Sequence, residues 1–523
     1  MKLPDFKKPL SLLAVGLLAW SQPARADIEL PAILGDNMVL QASPDTRLWG
    51  QGISGEKVTV MFQGRTYHTT VENNQWTIAL PDLETGGPFS MEIRGFNRIQ
   101  LNNILVGDVW LGSGQSNMRF SLSRALEADA AIAAADHPEI RLFTVAENAA
   151  DVPLDDVQGE WVVCSPETVR NFSAVQYYFG REIAGTQDIP VGLVLSSVGG
   201  TRICSWISAP DLAANPESEY YFTYFDELLA NYHPAYAEYL ARLDADPTLS
   251  ERAPRHPFER MPSGYFNAMI APLTSFAVKG ILWYQGETDS WWAEPYERMM
   301  RDLIWAWRRD WGQGELPFLI VQLASFDGKL RVDENYPYIR EAQRLVARSE
   351  PNTALAVAID VGEKDDIHPK DKEPVGHRLA LAARHLAYGE DIEFSGPTLA
   401  GVRFDAGRAI VSFDHAESGL RSRSPELRGF ELAGQDEAFH PARAEIAGNT
   451  VMLRSDAVED ARYVRYAWDG FPDCDLENGA GLPASPFRTD TVKRLNKEEW
   501  EAKYPEKLAE SEAMQATLDV GAR

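Results

Sequence analysis

Residues 105–120 read LVGDVWLGSGQSNMRF. The apolar run from Leu105 to Leu111 shows little alternation, as expected of a strand buried on both faces. It ends in Gly112, Ser113 and Gly114, and Ser116 follows between Gln115 and Asn117. Glycine lets the backbone turn sharply, so the Ser116 hydroxyl is expected to project at a sheet edge, where a nucleophile is needed. The usual esterase elbow, GxSxG, asks for glycine where this chain has Met118. A serine at a strand end also serves as a helix N-cap, so this motif alone does not decide.

Outward from this stretch the same grammar repeats. VGLVLSS, VKGILWYQ, FLIVQLAS and TALAVAID are apolar runs, and QYYFGREIAG, YERMMRDLIWAWRRDW and REAQRLVARSE between them have helical periodicity. Strands buried on both faces and alternating with amphipathic helices predict an α/β domain with a parallel sheet over residues 104–390. Ligands of such sheets bind beyond the carboxyl ends of the strands. An excursion at 211–261, dense in Tyr, Glu, Pro and Arg, is read as a helical cover or a surface insertion. Residues 27–103 (RLWGQG, KVTVMF, QWTIAL) and 391–490 (IVSF, NTVMLRS, RYVRYAW) carry short alternating runs between turn residues, which predicts flanking β regions. The charged tail, 491–523, has little apolar surface to bury.

Composition bounds the function. The 523 residues are 45% hydrophobic and 24% charged, the balance of a globular protein. A formal charge of −27 argues against nucleic acid or an anionic membrane surface as partner. At the N-terminus Lys2, Lys7 and Lys8 precede a short apolar run and then Ala24 and Ala26, the small-x-small pattern of a cleaved signal peptide at 1–26. The run is shorter than the roughly 20 residues that span a bilayer. Export to a bacterial periplasm or the exterior is therefore expected, with no membrane insertion after cleavage. Cys164, Cys204 and Cys474 are too scattered for a disulfide scaffold or a CxxC metal site and read as buried structural cysteines.

Three further strand ends carry chemistry. VLSSVGGTRICSW places Gly199 and Gly200 where a backbone N–H can approach a developing oxyanion, although a tight turn also accounts for the pair. In ILWYQGETD, Gln285 offers a neutral amide donor. Glu287 with Asp289 or Glu294 also fits a glycosidase carboxylate pair, and a solvated acidic loop fits as well. Trp283, Trp291 and Trp292 have the rings to stack on a sugar, or to fill a core. Last, AIDVGEKDDIHPKDK sets His368 three residues after Asp365, an acid placed to orient an imidazole facing Ser116.

Taken together, GQSNM, GGTRICSW, WYQGETD and DDIHPKDK…GHRLA resemble, in order and spacing, the blocks of the sialate O-acetylesterase family of the SGNH hydrolase superfamily. LPAILGDNMVLQ, YFNAMIAPL and VRYAWDGFP…NGAGLPASPFRTD are similar to family segments too, so the likeness covers nearly all of the chain except the tail. The resemblance implies a three-layer α/β/α, flavodoxin-like SGNH domain flanked by β-sandwich-like regions. It also implies a carboxylic ester hydrolase that removes acetyl groups from sugars without metal or cofactor. Its residue roles carry over as Ser116 the nucleophile, His368 the base and Asp365 the orienting acid, with the adjacent Asp366 as competitor. The Ser116 backbone, Gly200 and Gln285 would form the oxyanion hole. Trp283, Trp291 and Arg119 are the expected substrate contacts, Arg119 standing where relatives often carry an acidic or amide residue. The sugar, sialic acid or an acetylated plant polysaccharide such as xylan or xyloglucan, stays open. Other classes are a glycoside hydrolase working through Glu287 and Asp289, a non-catalytic sugar-binding protein, and an esterase of lipid or aryl esters.

Overall fold

In the computed structural model residues 105–114 of the opening stretch belong to a single 17-residue strand, β1 (Arg98–Gly114), which runs through the middle of the molecule. The structure describes residues 27–246, 248, 250–327, 332–405 and 407–491, without the side chains of residues 259, 291 and 332–335. The proposed signal peptide and all but the first residue of the charged tail lie outside them. The first part of β1 pairs antiparallel with Gly86–Arg94, and Leu105 to Gly107 run parallel to Val39–Gln41. From Asp108 onward β1 is buried and enters the central sheet. The domain boundary expected at 103/104 thus falls inside a continuous strand. Asn103, at a φ of 56°, marks the place by its backbone.

The central strands are β2 (His137–Thr144), β3 (Trp161–Cys164), β4 (Val191–Ser197), β5 (Gly280–Tyr284), β6 (Phe318–Val321) and β7 (Thr353–Ala356). Their order is β7-β6-β5-β1-β4-β2-β3, parallel throughout except for β3, which is antiparallel to β2. With four N-terminal strands, Val39–Gln41, Lys57–Phe62, Arg65–Thr70 and Gly86–Arg94, they make one eleven-stranded sheet, mixed rather than purely parallel. The chain's later strands leave β1 on opposite sides, β4 on one and β5 on the other. In open α/β sheets such a divergence marks the place where ligands bind, here beyond the carboxyl ends of β1, β4 and β5.

The register explains how both faces are covered. Trp110 and Gly112 of β1 align with Gly280 and Leu282 of β5, and Leu111 and Ser113 with Ile281 and Trp283. Trp110 and Gly112 point to helix α1 (Ala174–Gln187): Trp110 meets the Phe179 ring edge-on at 5.0 Å, and a Cβ on Gly112 would strike the Gln176 side chain. On the other face Trp283 meets Trp307 of helix α3 (Tyr296–Trp311) at 5.7 Å. Helix α3 buries Tyr296, Met299, Met300, Leu303, Ile304, Trp307 and Trp311, a stripe at helical spacing, and stops at Gly312, whose φ is 65°. Each such side chain contributes about 1.5–3 kcal/mol on leaving water.

The excursion contains the helices Ala209–Ala213 and α2 (Glu219–Ala245). Within α2 only Tyr221 is buried, its hydroxyl donating to Asp289 Oδ1 at 3.3 Å. Helices α4 (Val332–Ser349) and α5 (Glu373–Leu386) follow β6 and β7. The later strands build a second apolar core, in which Val411, Val451 and Leu453 of one four-stranded sheet face Phe430, Val464 and Phe487 of another. Arg340 of α4, fully buried, anchors this region by donating to the carbonyls of Asp469 and Gly470, both at 2.7 Å. No helix among the described residues is long and apolar enough to cross a membrane. The buried Cys164 and Cys204 are free thiols.

Candidate active site

Three strand ends meet at Ser116. Gly114 ends β1 at a φ of 127°, and a Cβ there would lie 2.1 Å from the carbonyl oxygen of Tyr284 at the end of β5. Only glycine allows that approach. Gln115 N–H then donates to Tyr284 O at 3.0 Å, and Val198 N–H, after β4, donates to Gly114 O at 3.1 Å. Ser116 opens the four-residue helix Ser116–Arg119, without a side-chain cap from Gln115. The turn is thereby fixed by β4 and β5 and leaves the half-buried serine hydroxyl free to point away from the sheet.

That hydroxyl lies 2.8 Å from His368 Nε2, across 252 residues of sequence. His368 sits on the loop after β7, tied to the serine side by Leu126 N–H donating to Lys370 O at 2.8 Å. The carboxylate beside its other nitrogen belongs to Asp366, 3.7 Å from Nδ1, and it also accepts the His368 backbone N–H at 2.9 Å. Asp365, the acid expected at this position, is exposed and is replaced in that place by its neighbour. The loop turns so tightly that the side chain two residues before the histidine reaches back, as in an Asx turn. Burial holds the His368 imidazole below its ordinary pKa, against the pull of Asp366, so the neutral form is favoured at neutral pH.

The expected oxyanion donors divide. Gly200 has a φ of 72° and open space where a side chain would be, and Gly199 packs on the Ser116 Cβ. Neither the Gly200 nor the Ser116 N–H has an acceptor among the described residues. Gln285 differs: it is fully buried and its Nε2 donates to Asp289 Oδ2 at 2.5 Å and Thr201 O at 3.1 Å. Its Oε1 accepts from Tyr296 OH at 3.1 Å. In this structure the Gln285 amide N–H groups are engaged in holding the loops after β4 and β5 together. Asp289, four residues on, competes for it.

The acidic pair is likewise engaged. Asp289 also accepts from Ile203 N–H at 2.8 Å, and Glu287 accepts from Asn117 Nδ2 at 2.5 Å. Both carboxyls are almost fully buried, and burial raises both pKa values. Trp283 has no exposed surface and fills the core between Trp206 and Trp307, so it is not a stacking platform. The Trp291 side chain lies outside the described residues; Trp292 is half-buried against Tyr221. Arg119 is exposed and pairs with Glu147 at 2.7 Å. Two residues escaped the sequence reading, Asn117 and Lys372. Asn117 is buried between the serine and histidine segments, and Lys372 Nζ donates to its Oδ1 at 2.6 Å.

Residues 255–385 match the family model described as "Carbohydrate esterase, sialic acid-specific acetylesterase". Sialate O-acetylesterase of Mus musculus is 30% identical, over 89% of this chain and 95% of its own. The chain belongs to the sialate O-acetylesterase family. It is accordingly a carboxylic ester hydrolase. The Rattus norvegicus sialate O-acetylesterase, also 30% identical, aligns over 92% of this chain and 98% of its own length. Among solved structures, a carbohydrate acetylesterase from Xanthomonas citri superposes with a TM-score of 0.77 at 36% identity, covering 89% of this chain and 100% of that one.

Proposed function

We propose that this family member is an exported serine esterase that removes acetyl groups from carbohydrate hydroxyls through an acetyl-enzyme. The observation that carries the reading is the 2.8 Å contact between Ser116 Oγ and His368 Nε2. With Nδ1–H turned to Asp366, Nε2 is free to accept the serine proton. As Nε2 takes it, Oγ bonds to the acetyl carbon and the carbonyl oxygen becomes an oxyanion, facing the N–H groups of Ser116 and Gly200. Each good donor of this kind contributes on the order of 3 kcal/mol of transition-state stabilisation. Collapse breaks the bond to the sugar oxygen, which takes the proton from His368 and leaves. Water, deprotonated by the same imidazole, then attacks acetyl-Ser116 and releases acetate.

The strand order and the helices on both sheet faces support a three-layer SGNH core, and the paired C-terminal sheets support a sandwich-like flank. The signal-like leader supports export. Family membership favours an O-acetylated sugar as substrate, with sialic acid and acetylated plant polysaccharide as the two classes to separate. The test is acetate release from O-acetylated sialic acid and acetylated hemicellulose, measured side by side. The wild type is expected to act on at least one and Ser116→Ala on neither. Release by Ser116→Ala at the wild-type rate would refute the reading.

A further inference from the structure

Lys372 takes no part in the reaction written above, yet it is 1% exposed. A buried ammonium is costly unless it is held by partners. Its Nζ donates to Asn117 Oδ1 at 2.6 Å and lies 4.9 and 5.4 Å from the ring centres of Phe120 and Tyr284. An ammonium can only donate, so it fixes which end of the Asn117 amide faces it. The amide N–H groups are thereby turned the other way, to Glu287 Oε1 at 2.5 Å and Ile367 O at 3.0 Å. Asn117 follows Ser116 in the chain, and Ile367 precedes His368. One side chain therefore bridges the neighbours of the two residues in contact.

We propose that Lys372, acting through Asn117, is a positioning residue that holds the Ser116 turn and the His368 loop in reacting register. The proposal rests on Ser116 and His368 being nucleophile and base. It explains why a lysine is buried here: an apolar side chain would leave the buried Asn117 Oδ1 without its donor and one end of the bridge unheld. The charge matters as well. Lys372 faces Glu287 from the loop after β5, Asp366 and Glu363 from the histidine loop, and Arg124 from the segment after the serine. Burial brings its pKa down to about 7 against the pull of Glu287. Lys372 and Arg124 in turn disfavour protonation of His368, whereas Asp366 favours it.

The test is Lys372→Met, assayed with p-nitrophenyl acetate. Turnover is expected to fall roughly tenfold or more with KM changed less than about threefold, since geometry and not binding is lost. The acidic limb of the kcat/KM–pH profile is expected to move to higher pH, because a positive charge near His368 has gone. A merely structural lysine would lower Tm and leave kcat of the folded variant at the wild-type value, which would overturn the proposal. Asn117→Ala removes the bridge with Lys372 intact; it is expected to lose kcat similarly, and the double variant to be little worse than either. Wild-type kinetics in either folded variant would overturn the proposal. Failure of both to fold would assign the bridge to stability alone and overturn it too. An active Ser116→Ala defeats the underlying reading; an inactive Ser116→Ala beside a wild-type-like Lys372→Met defeats this proposal only.

Discussion

Asp366 and His368 are joined twice: the carboxylate accepts the histidine's backbone N–H at 2.9 Å and stands 3.7 Å from its Nδ1. The first contact fixes the loop and the second orients the ring. Asp366→Asn is therefore expected to lower kcat by roughly tenfold to a hundredfold, less than for a fully buried acid because the carboxylate is partly solvated. Asp365→Asn is expected to stay within about twofold of wild type, as for an exposed side chain off the reaction path. Steady-state kinetics of the two variants side by side decides between them; a larger loss in Asp365→Asn would reverse the assignment.

The pH dependence follows from the burial of His368. The base must be neutral, and its pKa in the fold lies below the ordinary 6.5. Activity is therefore present above that value and lost as pH falls through the lowered pKa. The kcat/KM profile is expected to have its acidic midpoint below 6.5. Asp366→Asn is expected to move that midpoint lower still, because Asp366 raises the histidine's proton affinity. A midpoint above 6.5 in the wild type would contradict this account of the site.

Gln285 is predicted to act through the loops it holds. Gln285→Ala leaves Asp289 without one of its donors and Tyr296 OH without the Gln285 Oε1 acceptor. Asp289 keeps the Ile203 N–H and Tyr221 OH, and Tyr296 OH keeps the main-chain oxygen of residue 285, so each lost hydrogen bond costs about 0.5–1.5 kcal/mol and Tm is expected to fall together with turnover. Thermal unfolding and kinetics measured on one sample check it. A large loss of kcat at unchanged Tm would instead place the amide in the oxyanion hole.

Gly114→Ala tests the turn itself. The added Cβ meets Tyr284 O at 2.1 Å on a backbone at φ 127°, so steric overlap and strain combine. A loss of about 3 kcal/mol or more is expected, read as a denaturant midpoint. A stability within about 0.5 kcal/mol of wild type would show that the junction of β1 and β5 is looser than described.

Much of this arrangement was legible because strand ends can be read from apolar runs that stop. Ser116, the glycine pair and His368 each followed such a run, and a parallel sheet gathers those ends at one edge. What was not legible depended on which side chain wins a local competition. Asp365 and Asp366 are adjacent, and only the turn of the loop selects one. Gln285 looked like an open donor until Asp289, four residues later, proved to occupy it. Trp283 was misread as a sugar platform, though its place inside a strand buried on both faces already argued for core. That one strand crosses 103/104 was not legible, because a change of residue pattern along a single strand looks like a change of domain. Asn117 and Lys372 carried no signal of their own, since their partners are distant in sequence and meet only in the fold.

The most direct test of the central claim is the fate of the acetyl group. Rapid acid quenching of the enzyme during turnover of an activated acetyl ester, followed by peptide mass analysis, is expected to find one acetyl group on the peptide carrying Ser116. Replacing His368 by alanine is expected to prevent its formation. Acetate released with no acetylated peptide, or an adduct at another residue required for turnover, would contradict the account.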